Sequence, residues 1–432
     1  MNLTESLLLL VVLVAIVAVA SVFFKSRMTW VTPVVFLGCA VVTLVAGMGI
    51  KIREIVEGPF AYLDSSMQIL AGAAFCGLLY KNGTFEYLFN KIIAKKRGAV
   101  LQMLLLVLFI ALPGMITGSA LVSVATTGLM AGKYLLDKGV DKVKAVEVVA
   151  VGSVLGMILP PLCMPFMLTA IGRQGGYPGS YEGFFLSCLV IGLPALLIYC
   201  IMAGGLILGD VEADASVEKK GTALCLLPLL VVAVLVICHN FTYTVTPFLG
   251  YPLIYTIGFV LAIVLKVNAA NPLTSAADGM RAAAAEVAVM FAYASVIETL
   301  TVVGTNGTVA AWQAINEPNE NIYALGLAAV VLVLGYVLGP VMAFTFAGFA
   351  TYVISVAISN DGIGLMVLGM MLCVVYLTSI RGGIVELTGE QLGVTDVRSK
   401  HVLGKILVPV IVLLVMGVVF FVARASLTGL MI

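Results

Sequence analysis

The sequence predicts an all-α polytopic membrane protein built from two repeats of inverted topology, each with a re-entrant hairpin and a broken helix. Of its 432 residues, 62% are hydrophobic and 10% are charged, and the mean hydropathy is +1.17. Soluble proteins contain about 25% charged residues, so this composition is typical of an integral membrane protein. Apolar runs at 7–24, 30–49 and 184–208 approach or exceed the ~20 residues that a spanning helix needs.

Two similar stretches of sequence indicate the repeat. Lys-Asn-Gly-Thr-Phe begins at Lys81 and Thr-Asn-Gly-Thr-Val begins at Thr305, and the numbers of their asparagines differ by 224 (306 − 82). A glycine-containing apolar segment follows each, at Gly114 and at Gly339, where the numbers differ by 225 (339 − 114). Repeated halves whose apolar segments are interrupted by Gly and Pro at matching positions are typical of secondary transporters.

The predicted domain order follows from this repeat. The elements outside the repeats are scaffold helices over 1–66 and 223–280, a polar linker over 209–222 and a C-terminal helix over 401–432. Within the first repeat, 67–208, we place the hairpin at about 113–132 and the broken helix at about 143–170. Within the second, 281–400, they fall at about 339–358 and 363–390.

Residues 85–97 predict an amphipathic helix, because their apolar side chains recur at helical spacing. The apolar face is formed by Phe85, Leu88, Phe89, Ile92 and Ile93. Such a helix suits the membrane interface, and a basic connector near lipid headgroups is the alternative.

The first hairpin is indicated by residues 113–132, which are rich in Gly, Ser and Thr. A turn inside the membrane exposes backbone groups that protein, water or a ligand must satisfy. We place its tip at Thr117, Gly118 and Ser119 and predict that these residues bind substrate, since their hydroxyls and carbonyls can face an ion or an anion. The alternative is a small-residue face for tight helix packing.

The first broken helix is indicated by tandem proline at the end of residues 152–161. Each proline removes a backbone donor and clashes with the preceding turn, so the helix must break near Pro160. A break at membrane depth leaves carbonyls free to coordinate a cation. Ser153, Gly156 and Pro160 are therefore candidate cation-binding residues, and a kink needed only for packing is the alternative.

The second broken helix is interrupted by glycines and hydroxyl residues instead of prolines. Thr378, Ser379 and Arg381 are candidate substrate-binding residues here. An arginine between apolar runs is costly unless it faces water, a carboxylate or an anionic substrate, and its planar fork suits a carboxylate. The alternatives are an ion pair with Glu386 or Glu390, or exposure at the membrane rim.

Three further side chains lie inside apolar runs. Glu298 and Glu147 are candidate functional acids, although Glu298 lies near a helix end, where its carboxylate can reach the interface. Tyr293 is predicted to anchor a helix end. We find no Asp/His pair, His cluster, nucleophile motif or nucleotide-binding loop, so we do not expect an enzyme. The net charge of +1 gives no reason to expect a nucleic-acid partner.

The order of helices and the motifs at 114–161 resemble the large membrane subunit of tripartite ATP-independent periplasmic (TRAP) transporters, within the ion transporter superfamily. This resemblance implies an elevator carrier in the bacterial inner membrane, with sodium as the coupling ion, no other cofactor and small organic anions as substrates. It also implies two partners, a small membrane subunit and a periplasmic substrate-binding protein. A stand-alone dicarboxylate–sodium symporter or antiporter of the same superfamily is the alternative.

The second half departs from that family. Gly339-Pro340 replaces the common Asp-Pro at the hairpin, Gly348-Phe349 replaces Thr-Pro, and Ser379-Ile380-Arg381-Gly382 replaces the second Pro-Pro break. Gly339 and Gly382 stand where the resemblance implies a second cation site. The sequence therefore predicts an asymmetric site, with ion chemistry on the first side and substrate specificity on the second.

Overall fold

The fold is helical throughout the part of the chain that the structure, a computed structural model, describes. The described residues are 2–93, 97–170, 184–208, 223–241, 249–265, 271–358 and 361–427, and none of them lies in a β-strand. Ten of the described helical segments are long and apolar enough to cross a membrane. The predicted class, an all-α polytopic membrane protein, is confirmed. The predicted polar linker, 209–222, lies outside the described residues.

The described residues form twenty α-helices, distributed over the two halves. Those of the first half are α1 (Leu3–Phe23), α2 (Met28–Val45), α3 (Ile52–Glu57), α4 (Leu63–Lys81), α5 (Thr84–Ile93), α6 (Ala99–Thr117), α7 (Ala120–Ser123), α8 (Leu129–Asp137), α9 (Lys142–Ile158), α10 (Met164–Ala170) and α11 (Phe185–Leu208). Those of the second half are α12 (Leu227–Phe241), α13 (Tyr251–Val264), α14 (Pro272–Val302), α15 (Thr305–Asn316), α16 (Glu320–Leu338), α17 (Pro340–Ala357), α18 (Gly362–Thr378), α19 (Ile384–Leu392) and α20 (Ser399–Val422).

Two pairs of corresponding helices have equal lengths, and one of these pairs also has the same N-cap. Helices α9 and α18 each contain 17 residues, and α11 and α20 each contain 24. Asp141 caps α9 and Asp361 caps α18, and each carboxylate accepts a hydrogen bond from the N–H two positions later. The numbers of the two aspartates differ by 220 (361 − 141). Each carboxylate satisfies donors that the first helical turn leaves unpaired.

The repeat has a different register from the one that the sequence motifs predict. Gly83 (φ +76°) and Gly304 (φ +81°) each separate a long helix from a shorter one, and their numbers differ by 221 (304 − 83). Asn82 is the C-cap of α4, whereas Asn306 lies in the first turn of α15 and donates to the Ile297 carbonyl at 3.3 Å. The predicted spacing of 224 is therefore wrong, because the two asparagines occupy different positions.

Helices α4 and α14 pack antiparallel at the centre of the molecule. A Cβ atom on Gly58, just before α4, would lie 2.8 Å from the Ala294 carbonyl oxygen of α14. A Cβ atom on Gly279 of α14 would meet the Ala73 carbonyl oxygen of α4. Both pairs obey the spacing of 221 (279 − 58 and 294 − 73), so the contact is reciprocal. Antiparallel contact between equivalent helices is the arrangement expected of an inverted repeat.

Two predicted domain boundaries lie inside continuous helices. The boundary at 66/67 falls in α4, and the boundary at 280/281 falls in α14, which runs for 31 residues. Asp278 and Arg281, which flank the second boundary, form an exposed ion pair at 3.3 Å near the start of α14. The chain therefore has no structural break at either point.

The two broken helices lie in the interior. Every residue of α18 is buried, and so is every residue of α9 from Ala145 to Ile158. Large apolar side chains are exposed on the outer helices, for example Val11 and Ile201 at 62%. This outward apolar surface suits a lipid environment. The predicted amphipathic segment forms α5, with Phe85 and Phe89 buried against Phe109, and residues 94–96 lie outside the described residues.

Candidate functional site

The first hairpin reverses direction where the sequence predicts it. Helix α6 ends at Thr117, Gly118 turns the chain with φ +69°, and Ser119 caps α7. The return limb continues through a π-helical segment, Val124–Gly128, into α8. Both limbs extend well beyond the predicted range 113–132. We call residues 117–119 the first tip.

The first tip closes on the break of the first broken helix. Helix α9 ends at Ile158 and α10 begins at Met164, so we call residues 159–163 the first break. The backbone N–H of Met164 donates to the Gly118 carbonyl at 3.1 Å, and the N–H of Leu162 donates to the Met115 carbonyl at 3.3 Å. These bonds satisfy backbone groups that both the turn and the break would otherwise leave unpaired.

The three candidate cation-binding residues of the first half lie on or just after α9. A Cβ atom on Gly156 would lie 2.6 Å from the Ala111 Cα of α6, so this glycine allows close packing of the two helices. The Ser153 hydroxyl is buried without a hydrogen-bond partner. Pro160 is buried in the first break. Within the described ranges, no group of three His, Cys, Asp or Glu side chains could hold a metal ion.

A buried carboxylate occupies the first tip. The Ser119 hydroxyl donates to Oε2 of Glu286, a residue of α14 with 0% exposure. The backbone amides of Ala120 and Leu121, at the start of α7, lie beside the same carboxylate. The Tyr376 hydroxyl of α18 also lies beside it, without a hydrogen bond of normal geometry. Oxygen Oε1 of Glu286 has no hydrogen-bond partner.

The second hairpin turns at Gly339, between α16 and α17. Its backbone (φ +100°, ψ 169°) lies in a region that only glycine adopts readily. The predicted range 339–358 is therefore the second limb alone, and the complete hairpin includes α16. We call residues 338–340 the second tip. The N–H of Ile380, in the break between α18 and α19, donates to the Tyr336 carbonyl at 3.0 Å, three positions before Gly339.

The second break, residues 379–383, brings two candidate cation-binding residues together. A Cβ atom on either Gly339 or Gly382 would meet Ser26, in the α1–α2 connection. The Ser26 hydroxyl donates to the Leu338 carbonyl of the second tip. The contact joins a predicted scaffold segment to the second hairpin.

The hydroxyl groups of Thr378, the last residue of α18, and of Ser379, in the second break, bind backbone atoms. Ser379 Oγ donates to the Arg381 carbonyl at 2.7 Å, and Thr378 Oγ1 donates to the Val374 carbonyl at 2.8 Å. These bonds stabilise the end of α18 and the path of the break. The hydroxyl oxygens keep acceptor capacity, so binding of a substrate by Thr378 and Ser379 stays a prediction.

Arg381 is exposed, and neither predicted carboxylate partner pairs with it. Glu386 accepts from the Gly382 N–H at 2.9 Å, and Glu390 pairs with Arg27 at 3.1 Å. No described carboxylate lies within 4.0 Å of the Arg381 guanidinium nitrogens. The predicted ion pair with Glu386 or Glu390 is wrong, which leaves substrate binding and rim exposure as the interpretations.

A cavity of about 400 Å³ lies between the first hairpin, α14 and α19. Its lining joins the two halves, because α19 follows the second break. On the wall formed by the first hairpin, Leu121 directly follows Ala120. On the wall formed by α14, Ala282 lies one helical turn before Glu286. The lining residues are Leu121, Val124, Ala125, Arg281, Ala282, Leu387, Glu390 and Gln391.

Sequence reasoning missed Glu286, Tyr376 and Ser26. Glu286 follows four alanines, so an apolar run started at residue 282 instead of 287 would have included it. No sequence signal links it to Ser119, 167 residues away. The prediction for Tyr293 is wrong, since this side chain is 1% exposed and donates to Thr351 Oγ1 at 2.6 Å.

The two predicted acids have different environments. Glu298 is half-buried and lies four positions before α14 ends, and its position at the membrane interface stays a prediction. Glu147 is buried, and its Oε1 accepts from the Tyr199 hydroxyl at 3.4 Å. It lines a separate cavity of about 290 Å³ with Lys144 and Lys405.

No protein-family model matches the sequence, and no curated protein is similar to it in sequence. The fold, however, is similar to that of the Alcanivorax borkumensis YdaH transporter, with a TM-score of 0.57, 11% identity, and coverage of 88% of this chain and 89% of that chain. It is also similar to Neisseria gonorrhoeae MtrF, described with a class of antimetabolite efflux pumps, with a TM-score of 0.50, 12% identity, and coverage of 88% and 85%. This chain shares its fold with membrane transporters.

Proposed function

We propose that the chain is a secondary carrier that moves a small organic anion across the bacterial inner membrane by an elevator mechanism. The observation that supports this most is that each hairpin tip closes on the break of a broken helix, through Met164–Gly118 in one half and Ile380–Tyr336 in the other. Hairpin tips and broken helices at membrane depth provide the polar backbone that a transport site needs. The antiparallel contact of α4 and α14 supports inverted repeats.

The second break is the proposed anion-binding element. Arg381 presents a guanidinium that no described carboxylate neutralises, and α19 begins directly after it with its N-terminus toward the break. A guanidinium fork and a helix N-terminus both favour a carboxylate. The hydroxyls of Thr378 and Ser379 supply further polar contacts.

Several finer points stay predictions of the family resemblance. They are sodium coupling at the first break, with Ser153, Gly156 and Pro160, a second cation site at Gly339 and Gly382, a small membrane subunit and a periplasmic binding protein. A stand-alone symporter or antiporter, and an efflux pump, would use the same elements. The unpartnered Ser153 hydroxyl is the observation that favours a cation near the first break.

A binding screen followed by reconstitution tests the proposed function. Purified protein in detergent would be heated with succinate, malate, glutamate or lactate, with and without sodium, and the acid with the largest stabilisation is called the panel acid. We expect an ion gradient to drive accumulation of the panel acid in proteoliposomes, and Arg381→Ala to abolish both stabilisation and uptake while the variant still folds.

Arg53→Ala is the matched control, because Arg53 is exposed and pairs with Glu57 on its own helix. It should bind and transport like the parent protein. Stabilisation and uptake that survive in Arg381→Ala would overturn the assignment of the second break. The absence of stabilisation by every acid, with and without sodium, would count against an organic-anion carrier.

A further inference from the structure

The unexpected feature of the site is that the first tip holds a carboxylate of the chain itself. Ser119 and the start of α7 offer a hydroxyl and two backbone amides, which are the groups that would bind an anionic substrate. In this structure they surround Glu286, which is fully buried. The first tip is therefore built around an internal acid.

The groups around Glu286 can accommodate both of its protonation states. As a carboxylate it accepts from Ser119 and lies at the positive end of a helix. The Tyr376 hydroxyl beside it can donate to the carboxylate, and it can accept from the O–H that Glu286 gains as a neutral acid. Loss of the charge weakens the hold of the first tip on α14.

A cavity lies near Glu286, although Glu286 itself does not line it. Leu121, whose N–H lies beside the carboxylate, lines the cavity between the first hairpin and α19, and so does Ala282, one turn before Glu286 on α14. Oε1 accepts no hydrogen bond of normal geometry in this structure. A buried acid next to a cavity at membrane depth is a recurrent proton-binding arrangement in carriers.

The charged side chains near Glu286 are paired with other residues and do not pair with its carboxylate. Tyr376 of α18 is the titratable side chain that faces it, and the first hairpin contributes only the Ser119 hydroxyl and backbone amides. At the cavity, Arg281 pairs with Asp278 and Glu390 pairs with Arg27. Among the described residues, no other charged side chain interacts with Glu286.

We infer that Glu286 binds the proton that couples transport, and that its protonation releases the first tip from α14. The inference rests on the proposed carrier function but concerns a different half of the site. One proton adds to the carboxylate of Glu286, which becomes a neutral acid. No other bond forms or breaks.

Infrared difference spectroscopy tests this without a substrate. Purified protein in lipid would be stepped through pH, and the carbonyl stretch of protonated carboxylic acid recorded. We expect a pH-dependent band that Glu286→Gln removes and Glu147→Gln, a second buried acid on α9, leaves in place. A spectrum of Glu286→Gln that matches the parent spectrum at every pH would overturn the inference.

Ser119→Ala separates proton binding from a structural role. It removes a hydrogen bond to the charged form, so the proton should bind roughly tenfold more tightly and the band should appear at higher pH. A titration midpoint unchanged in Ser119→Ala would contradict the proposed contact. Because neither spectrum needs the panel acid, failure of this inference is distinguishable from failure of the carrier function.

Discussion

The two hairpin tips occupy equivalent positions in the repeat but differ in backbone conformation and in chemistry. Gly118 and Gly339, whose numbers differ by 221 (339 − 118), each turn one hairpin with positive φ and each close on a helix break. The first tip continues with Ser119 and meets the carboxylate of Glu286. The second tip continues with Pro340, which has no donor, and a guanidinium stands in the neighbouring break.

The register of the repeat shows how this asymmetry arises. At the spacing of 221, Glu286 corresponds to Ser65 (286 − 221) and Ser119 corresponds to Pro340. At the spacing of 220 that relates the breaks, Pro161 corresponds to Arg381 (381 − 161). Different residues at equivalent positions of the repeat therefore place the carboxylate of Glu286 at the first tip and the guanidinium of Arg381 in the second break. The comparison suggests that the two sides bind different species.

The largest expected effect comes from forcing a side chain onto the second tip. Gly339→Ala should destabilise the protein by about 3 kcal/mol or more, because alanine is strained at this φ and ψ and its Cβ would meet Ser26. Unfolding by SDS in mixed micelles measures the change. Gly326→Ala, on the same hairpin with open space around it, is the control and should be neutral or stabilising.

The same substitution at the first tip should cost less. Gly118 has αL geometry, for which an L-residue costs about 1–2 kcal/mol, and its Cβ would lie 2.9 Å from the Met164 nitrogen. Gly118→Asn should be tolerated better than Gly118→Ala, since asparagine visits αL more readily. Equal decreases in the free energy of unfolding for Gly118→Ala and Gly339→Ala would contradict the proposed difference in backbone strain between the two tips.

Removal of the Ser119 hydroxyl tests the polar character of the first tip. Ser119→Ala should destabilise the protein by about 1–3 kcal/mol at neutral pH, because a buried acceptor loses its donor. The loss should shrink at low pH if Glu286 is then neutral. Ser66→Ala, which removes a local bond to the Leu63 carbonyl, should show no such pH dependence in the same titration.

The smallest effect is expected at the ion pair near the second tip. Arg27 and Glu390 are about half exposed, so Arg27→Ala should change the free energy of unfolding by at most about 1 kcal/mol. Its effect should appear in transport, since the pair joins the α1–α2 connection to α19. Faster uptake of the panel acid by Arg27→Ala than by the parent protein would indicate that the Arg27–Glu390 ion pair restrains movement of α19 relative to the α1–α2 connection.

Sequence reasoning predicted the elements whose causes are local. Tandem proline and paired glycine interrupt α9–α10 and α18–α19 close to the predicted positions, and the Gly118 turn lies in the predicted tip. Those features act through backbone sterics, which the sequence displays directly.

The features that sequence reasoning placed wrongly or missed depend on contacts between residues that are distant in sequence. Asn82 and Asn306 have similar neighbours in sequence but occupy different positions, so the motif led to the wrong register. The second tip was misplaced because Gly339-Pro340 marks the turn itself as readily as the start of a limb. Glu286 was missed because only the fold brings Ser119 to it.

Counterflow of the panel acid tests most directly whether the two sides have different roles. Proteoliposomes preloaded with unlabelled panel acid would exchange it for labelled acid outside, with no ion gradient. Glu286→Gln, a mimic of the protonated side chain, should retain exchange and lose gradient-driven accumulation, whereas Arg381→Ala should lose both. Loss of exchange in Glu286→Gln together with normal exchange in Arg381→Ala would contradict the assignment of the proton to the first side and the anion to the second.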